Sequence, residues 1–421
     1  MKLLKTTGRG AKETERILIS LERRGDRSAS DVLPVVRGIV KAVRMGGDKA
    51  LRRYCAKFDG LFPQALLRIG RDEMEQAWES ASPEFRSALE VAAANIRGFA
   101  QRQLAKEWSF SPLKGLITGQ LIRPLDAVGC YVPGGRYPLP STMLMTVIPA
   151  QVAGVERIAV ALPRPARETL AAAWMLGVSE FYRMGGAQAI AALAYGTESI
   201  ARVDKIVGPG NAFVTTAKRL VAFDCGIDML AGPTEIVVTS EIGDPAAIAS
   251  DLVAQVEHDP EALAILVTTS SALAKSVIAE VKQRVRNNSI AREALRKNGC
   301  VFIAASLAEA HEITNRLAPE HLTVDTQADV EWVRNAGSIF VGHYSTQPMG
   351  DYVSGPNHTL PTGGLARVRG GLSVGDFVKA ITVQEYSAEG LQQLAGAAIA
   401  LAEAEGLKGH AAAIRARRTN G

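Results

Sequence analysis

From about residue 126 onward, short apolar runs alternate with longer amphipathic ones, and this rhythm limits what the chain can fold into. AVGCYV, RIAVAL, EFYRM and KIVG are separated by helix-like stretches, and the pattern resumes after Gly232 as EIVVT, LAILVTT, CVFIAA, HLTVD and GSIFVG. Short apolar strands joined by helices build a parallel sheet covered by helices on both faces. At 421 residues the chain is also too long for one core. The expected fold is therefore α/β, two incomplete Rossmann-like units with mainly parallel sheets, plus helical N- and C-terminal extensions. The boundaries read as a helical segment 1–19, a larger unit from 20–130 and 234–373, a smaller unit 131–233, and a helical tail 374–421. Residues 13–60 have helical periodicity broken at Gly46-Gly47, residues 83–106 form another helix, and LITGQLIRPL is strand-like. The Ala/Leu/Glu-rich stretch 385–418 reads as helix.

Composition excludes several classes. With 47% hydrophobic and 22% charged residues the chain is a folded globular protein. The net charge of +5 is scattered, apart from Arg23-Arg24 and the run Arg415, Arg417 and Arg418, which reads as a solvated end. Only 5% of residues are aromatic, and no groove-reading motif accompanies the charge, so no nucleic-acid partner is expected. The N-terminus lacks the apolar run of a signal peptide, and no segment has the apolar length of a membrane helix, so no membrane partner is expected. Cys55, Cys130, Cys225 and Cys300 are far apart, which fits buried thiols in a reducing, cytoplasmic setting.

Ligands of open α/β sheets bind beyond the carboxyl ends of the strands, and polar loops fall at such joins. VGPGNAFV could bring backbone amides near a phosphate, but the third glycine of a dinucleotide fingerprint is absent, so alone it reads as a βα turn. YVPGGRYPLPST and GGAQAIAALAYGT, with Gln188 in a first helical turn, are similar. Together the three loops suggest a nucleotide cleft. Six histidines add more. Gln255 and His258 in DLVAQVEHDP share one helix face, a workable ligand pair or simply a helix end. In LAPEHL, Glu320 and His321 are either an acid–base pair or a solvated pair after a helix-stopping proline. GDYVSGPNHTLPT adds Asp351 and His358, and EGLKGH adds Glu405 and His410. His311 and His343 have no polar company and read as structural or surface residues. Two imidazoles, a carboxylate and one further oxygen suit zinc, but spacing does not show that they converge.

These motifs, with DMLAGPTEIVV and DFVKAITVQE, occur in the order found in the histidinol dehydrogenases. The sequence resembles that family from about Gly46 to His410. The resemblance implies an interlocked homodimer that oxidises L-histidinol through L-histidinaldehyde to L-histidine, using one Zn2+ per subunit and NAD+. By motif position it implies zinc ligands Gln255, His258, Asp351 and His410, the last completing the other chain's site. Glu320 and His321 would be the acid–base pair, Tyr131, Gln188 and Asn211 would contact NAD, and Thr234, His358 and Glu405 would contact substrate. The family commonly carries Ser where Thr234 stands, and either residue supplies a hydroxyl. The loop GGLARVRGGL, residues 363–372, also departs from the family pattern, and a drift in specificity is expected there first. The alternative is a dehydrogenase of the same fold acting on another small alcohol, such as a sulfonated diol. A non-catalytic relative would have lost at least one of these positions, and none is lost.

Overall fold

The structure is a computed structural model that describes all residues except 28–30, 63, 135–136, 258 and 419–421. Its larger sheet runs in the order Lys2–Lys5, Cys300–Ile303, Leu263–Thr268, Glu235–Thr239, His321–Val324, Ser338–Val341, every neighbouring pair parallel. The strand Leu263–Thr268 is buried along its whole length because helices cover both faces. Period-two alternation sorts the side chains: Ile236 and Val238 enter one core with Leu252 and Val277, while Val237 enters the other with Leu18 and Ile313. Each fully buried aliphatic side chain of this kind contributes about 1.5–3 kcal/mol. The smaller sheet runs Glu180–Tyr182, Arg157–Ala161, Ala127–Tyr131, Lys205–Val207, Gly226–Ile227, again all parallel, between two further cores. Two mainly parallel α/β units are thus present, and the smaller sheet begins at Ala127, ahead of the expected boundary.

Two helical expectations are corrected. Lys2–Lys5 is an edge strand, because its amides and carbonyls pair with Cys300–Ile303 across a separation that no local pattern signals. The tail does not begin as helix either. Val378–Tyr386 pairs antiparallel with Leu116–Pro124, which also pairs with Trp108–Leu113. Tertiary pairing there overrides local propensity. Helices Ala388–Ala404 and Lys408–Arg415 follow as expected. The expected break at Gly46-Gly47 is a kink within helix Leu33–Tyr54, with Gly47 at φ 49° and ψ −138°. A side chain at Gly47 would overlap the Glu198 carboxylate, which accepts a 2.6 Å hydrogen bond from Asp48 N.

Residues 353–377 lie across both units as a strap. Asn95 Nδ2 donates to Val353 O (2.8 Å), Asn357 Nδ2 to Met145 O (2.6 Å) and Gly232 N to Thr362 Oγ1 (2.5 Å). Arg369 donates to Asp228 O and to both carboxylate oxygens of Asp376, whose backbone carbonyl accepts from Lys205 Nζ at 2.7 Å. The four cysteines are buried and unpaired. Among the described residues no helix is long and apolar enough to cross a membrane.

Candidate active site

Helix Leu307–Leu317 ends at Ala318, whose φ of 45° is the only positive value for a non-glycine among the described residues. Pro319 follows, so the helix cannot continue. The reversal delivers Glu320 and His321 to the start of strand His321–Val324, with His321 in register with Ile236 of the next strand. The pair therefore sits at the amino ends of the larger sheet, not beyond the carboxyl ends where the general rule for open sheets places ligands. First-residue backbone groups are available there. Glu320 Oε2 accepts from Glu235 N and from Thr234 Oγ1, both at 2.7 Å. Thr234 Oγ1 in turn accepts from Gln255 Nε2, in the last turn of helix Pro245–Val256.

His321 Nδ1 lies 3.1 Å from Glu235 O and 3.6 Å from Glu320 Oε2. A carbonyl accepts only, so Nδ1 carries a proton in either charge state, and whenever the ring is neutral its lone pair lies on Nε2. That Nε2 is buried without a hydrogen-bond partner among the described residues, and Asp351 Oδ1 lies 3.6 Å from it. Burial pulls the His321 pKa down, but Glu320 and Asp351 together outweigh it and raise it to about 10, so the ring is protonated while both carboxylates face it. Asp351 belongs to helix Gln347–Tyr352, and its carbonyl is 2.8 Å from His358 Nδ1. His358 Nε2 faces Thr142 Oγ1 at 3.2 Å, joining this segment to helix Pro140–Ala153 of the smaller unit. Desolvation keeps the His358 pKa below the usual imidazole value, so its ring is neutral, with Nδ1 donating and Nε2 accepting. His321, Asp351 and His358 line one cleft of about 400 Å³.

The structure joins Thr234, Gln255, Glu320, His321, Asp351 and His358 through these contacts. His258 lies outside the described residues. Glu405, which caps helix Ala388–Ala404, and His410, in helix Lys408–Arg415, are exposed and do not line the cleft. Among the described residues no group of three His, Cys, Asp or Glu side chains is placed to hold a metal ion. His311 stacks on Trp332 with centroids 4.1 Å apart, and His343 is exposed beside Tyr344, so both are structural or surface residues.

Tyr131, Gln188 and Asn211 all lie at the carboxyl ends of the smaller sheet, where ligands of such sheets bind. Tyr131 is buried, its hydroxyl accepts from Gly186 N at 3.1 Å, and burial pushes its pKa up to about 12. Gln188 is also buried and donates to Asp59 Oδ2, which accepts from Gly185 N as well, both at 3.1 Å. Asn211 is exposed and caps helix Ala212–Val221 by accepting from Phe213 N and Val214 N. The peptide unit before them is held from within. Lys218 Nζ donates to Gly208 O (2.9 Å), Gly208 N donates to Asp228 Oδ2 (2.7 Å), and Lys218 pairs with Asp228. Gly208 has φ 114°, and a Cβ there would lie 2.0 Å from Tyr131 O. Sequence reasoning passed over Asp59, Lys218 and Asp228. Lys218 gave a signal, because it sits on the same helix face as Val214, Ala217 and Val221.

An imidazole held at Nδ1 by a carbonyl, a carboxylate held by two donors and an adjoining cleft are the parts from which a general acid–base site is built. The histidinol dehydrogenase family pattern matches residues 22–418. Histidinol dehydrogenase of Methanothermobacter thermautotrophicus is 46% identical over 419 residues, covering 96% of this chain and 97% of that one. Its counterpart from Bacillus subtilis is 44% identical over 412 residues, with 95% and 96% covered. A crystal structure of histidinol dehydrogenase from Elizabethkingia anophelis matches with a TM-score of 0.92 at 33% identity, covering 99% of this chain and 98% of that one. The chain belongs to the histidinol dehydrogenase family, oxidoreductases of histidine biosynthesis.

Proposed function

We propose that this chain carries out the zinc- and NAD-dependent, four-electron oxidation of L-histidinol through L-histidinaldehyde to L-histidine. The observation that carries this reading is His321, whose Nδ1 is fixed by Glu235 O while its buried Nε2 has no hydrogen-bond partner among the described residues and faces Asp351 Oδ1 at 3.6 Å. The donor set suits zinc. The N–H of Gln255 is engaged by Thr234, so its carbonyl oxygen is the group left for a cation, and a carbonyl, a carboxylate and two imidazoles are acceptable zinc ligands. Gln255, His258, Asp351 and His410 of the partner subunit would hold the ion. Bound zinc would supply Lewis-acid polarisation of the substrate oxygen, and NAD+ would supply the electron sink.

The chain's own residues do the rest. A cation held by Asp351 would remove one of the two carboxylates that raise the His321 pKa, and the neutral ring then takes the hydroxyl proton at Nε2, a contribution typically worth about 10²- to 10⁴-fold. Glu320, steadied through Oε2 by Thr234 and Glu235 N, accepts a proton from the water that adds to the aldehyde carbon. His321 releases its first proton to solvent between the two steps, and the hydrated aldehyde then loses a hydroxyl proton to it in the second oxidation. Thr234, His358 and Glu405 orient the substrate, and Tyr131, Gln188 and Asn211 frame the dinucleotide. The exposed apolar residues Trp108, Phe110, Ile381 and Tyr386 on the antiparallel sheet support an interlocked homodimer. The buried, unpaired thiols support a reducing, cytoplasmic setting. Loop 363–372, where the sequence departs from the family pattern, lies outside the cleft lining and within the strap. Its departure bears on the tie between the units more than on the choice of alcohol.

The test is NADH formation from NAD+ and L-histidinol, with a parallel sample stripped by chelator and reloaded with zinc. Two NADH and one histidine per histidinol, with activity restored by zinc, is the expected result. A folded, zinc-loaded protein that leaves histidinol untouched would refute it and turn the search to small diols and amino alcohols.

A further inference from the structure

Arg24 and Glu235 form a buried ion pair to which nothing above assigns a role. Arg24 approaches Glu235 with one edge of its guanidinium in a two-point grip, Nε to Oε1 at 2.6 Å and Nη2 to Oε2 at 2.5 Å. Gly363 N adds a third donor to Oε1 at 2.8 Å, and Arg24 Nη1 is fixed by Leu21 O at 2.8 Å. The side chains are 12% and 4% exposed. A buried pair is poor value as a stabiliser, because desolvating two charges offsets most of their attraction. The backbone of Glu235 suggests another use. Its N–H holds Glu320 Oε2 and its carbonyl holds His321 Nδ1. One residue therefore fixes the carboxylate and sets the tautomer of the base, while its own side chain is clamped from outside the strand.

We propose that Arg24 is a positioning residue for the reaction: by gripping both carboxylate oxygens of Glu235 with one edge of its guanidinium, it holds the peptide groups that aim Glu320 and His321. This rests on the reading of Glu320 and His321 as the acid–base pair. Arginine is required here over lysine, because only a planar fork engages both carboxylate oxygens at once. A carboxylate held at one point can turn, and its backbone with it. Small misplacements of catalytic groups are expensive, about 100-fold for 1 Å.

The test compares Arg24→Lys and Arg24→Gln with the parent enzyme, all full-length and zinc-loaded, and includes His321→Asn as a reference. For Arg24→Lys we expect a melting temperature close to the parent and KM values for L-histidinol and NAD+ nearly unchanged, with kcat down about 10-fold or more. Arg24→Gln should be slower still. A folded Arg24→Lys enzyme with parental kcat overturns the proposal, as does a loss of kcat that merely tracks the unfolded fraction. Failure of both variants to fold would assign the pair to stability alone and overturn it equally. If His321→Asn keeps the full rate, the acid–base reading itself has failed. If only His321→Asn is slow, that reading stands and the role of Arg24 does not.

Discussion

Replacing Lys218 with methionine removes one half of an ion pair whose side chains are 2% and 0% exposed. Methionine fills much of the volume, so the change is mainly electrostatic. Gly208 O loses its donor, and Asp228 is left in the interior with only the backbone N–H groups of Gly208 and Met229. Breaking a buried pair by removing one partner costs about 3–5 kcal/mol. At about 2 °C per kcal/mol for a chain of this size, the melting temperature should fall by about 6–10 °C. The freed Gly208 peptide precedes Asn211, so KM for NAD+ should rise more than KM for L-histidinol. Calorimetry and initial-rate kinetics on Lys218→Met measure both effects. A melting shift under about 2 °C would refute the reasoning, because the carboxylate would then have found water or another cation.

Three further outcomes are expected. Burial raises the Asp59 pKa against the pull of Gly185 N and Gln188, so protonation stabilises the fold. That contribution is fully present below the unfolded value of about 3.9 and is lost as pH rises through the folded pKa. Asp59→Asn keeps both acceptor roles, so urea titrations across that window should show the variant gaining on the parent as pH rises; a constant difference would contradict the linkage. Thr234→Val deletes a charge-assisted hydrogen bond to Glu320 and the acceptor for Gln255. At about 1.5–3 kcal/mol for such a bond, kcat should drop about 10- to 100-fold, and steady-state kinetics showing less than a twofold change would reject the role. His410→Asn should lose zinc, read by metal analysis of the purified protein, and unchanged stoichiometry would remove His410 from the proposed ligand set.

Strands were legible where burial on both faces makes a run uniformly apolar. Glu235–Thr239 appears where EIVVT stands, and the other strands of the parallel sheets after residue 126 agree to within a residue or two, except the short edge pair Gly226–Ile227, which had no counterpart. Lys2–Lys5 and Val378–Tyr386 were hidden for the opposite reason. Each is stabilised by a partner strand far away in sequence, and Val378–Tyr386 is largely exposed, so it lacks the apolar signature. In the site, residue types were readable but convergence was not. Asp351 and His321 meet through a helix that folds back after strand Ser338–Val341, a geometry absent from spacing. Arg24 read only as half of an adjacent basic pair, and the structure shows it buried against Glu235. A glutamate opening an otherwise apolar strand was the available clue.

The strap described above also orders assembly. The smaller sheet is contiguous, drawn from Ala127 to Ile227, so its pairings close comparatively short loops. The larger sheet interleaves both flanks, and its edge is complete only when Lys2 meets Cys300. Contacts of such sequence separation form slowly. Residues 353–377 then have no surface to lie on until both sheets exist, since Met145 and Asp228 belong to one unit and Glu235 to the other. Asp351 just precedes that segment and His358 lies near its start, so the cleft they line is completed late, and a chain arrested earlier would hold its two sheets without it.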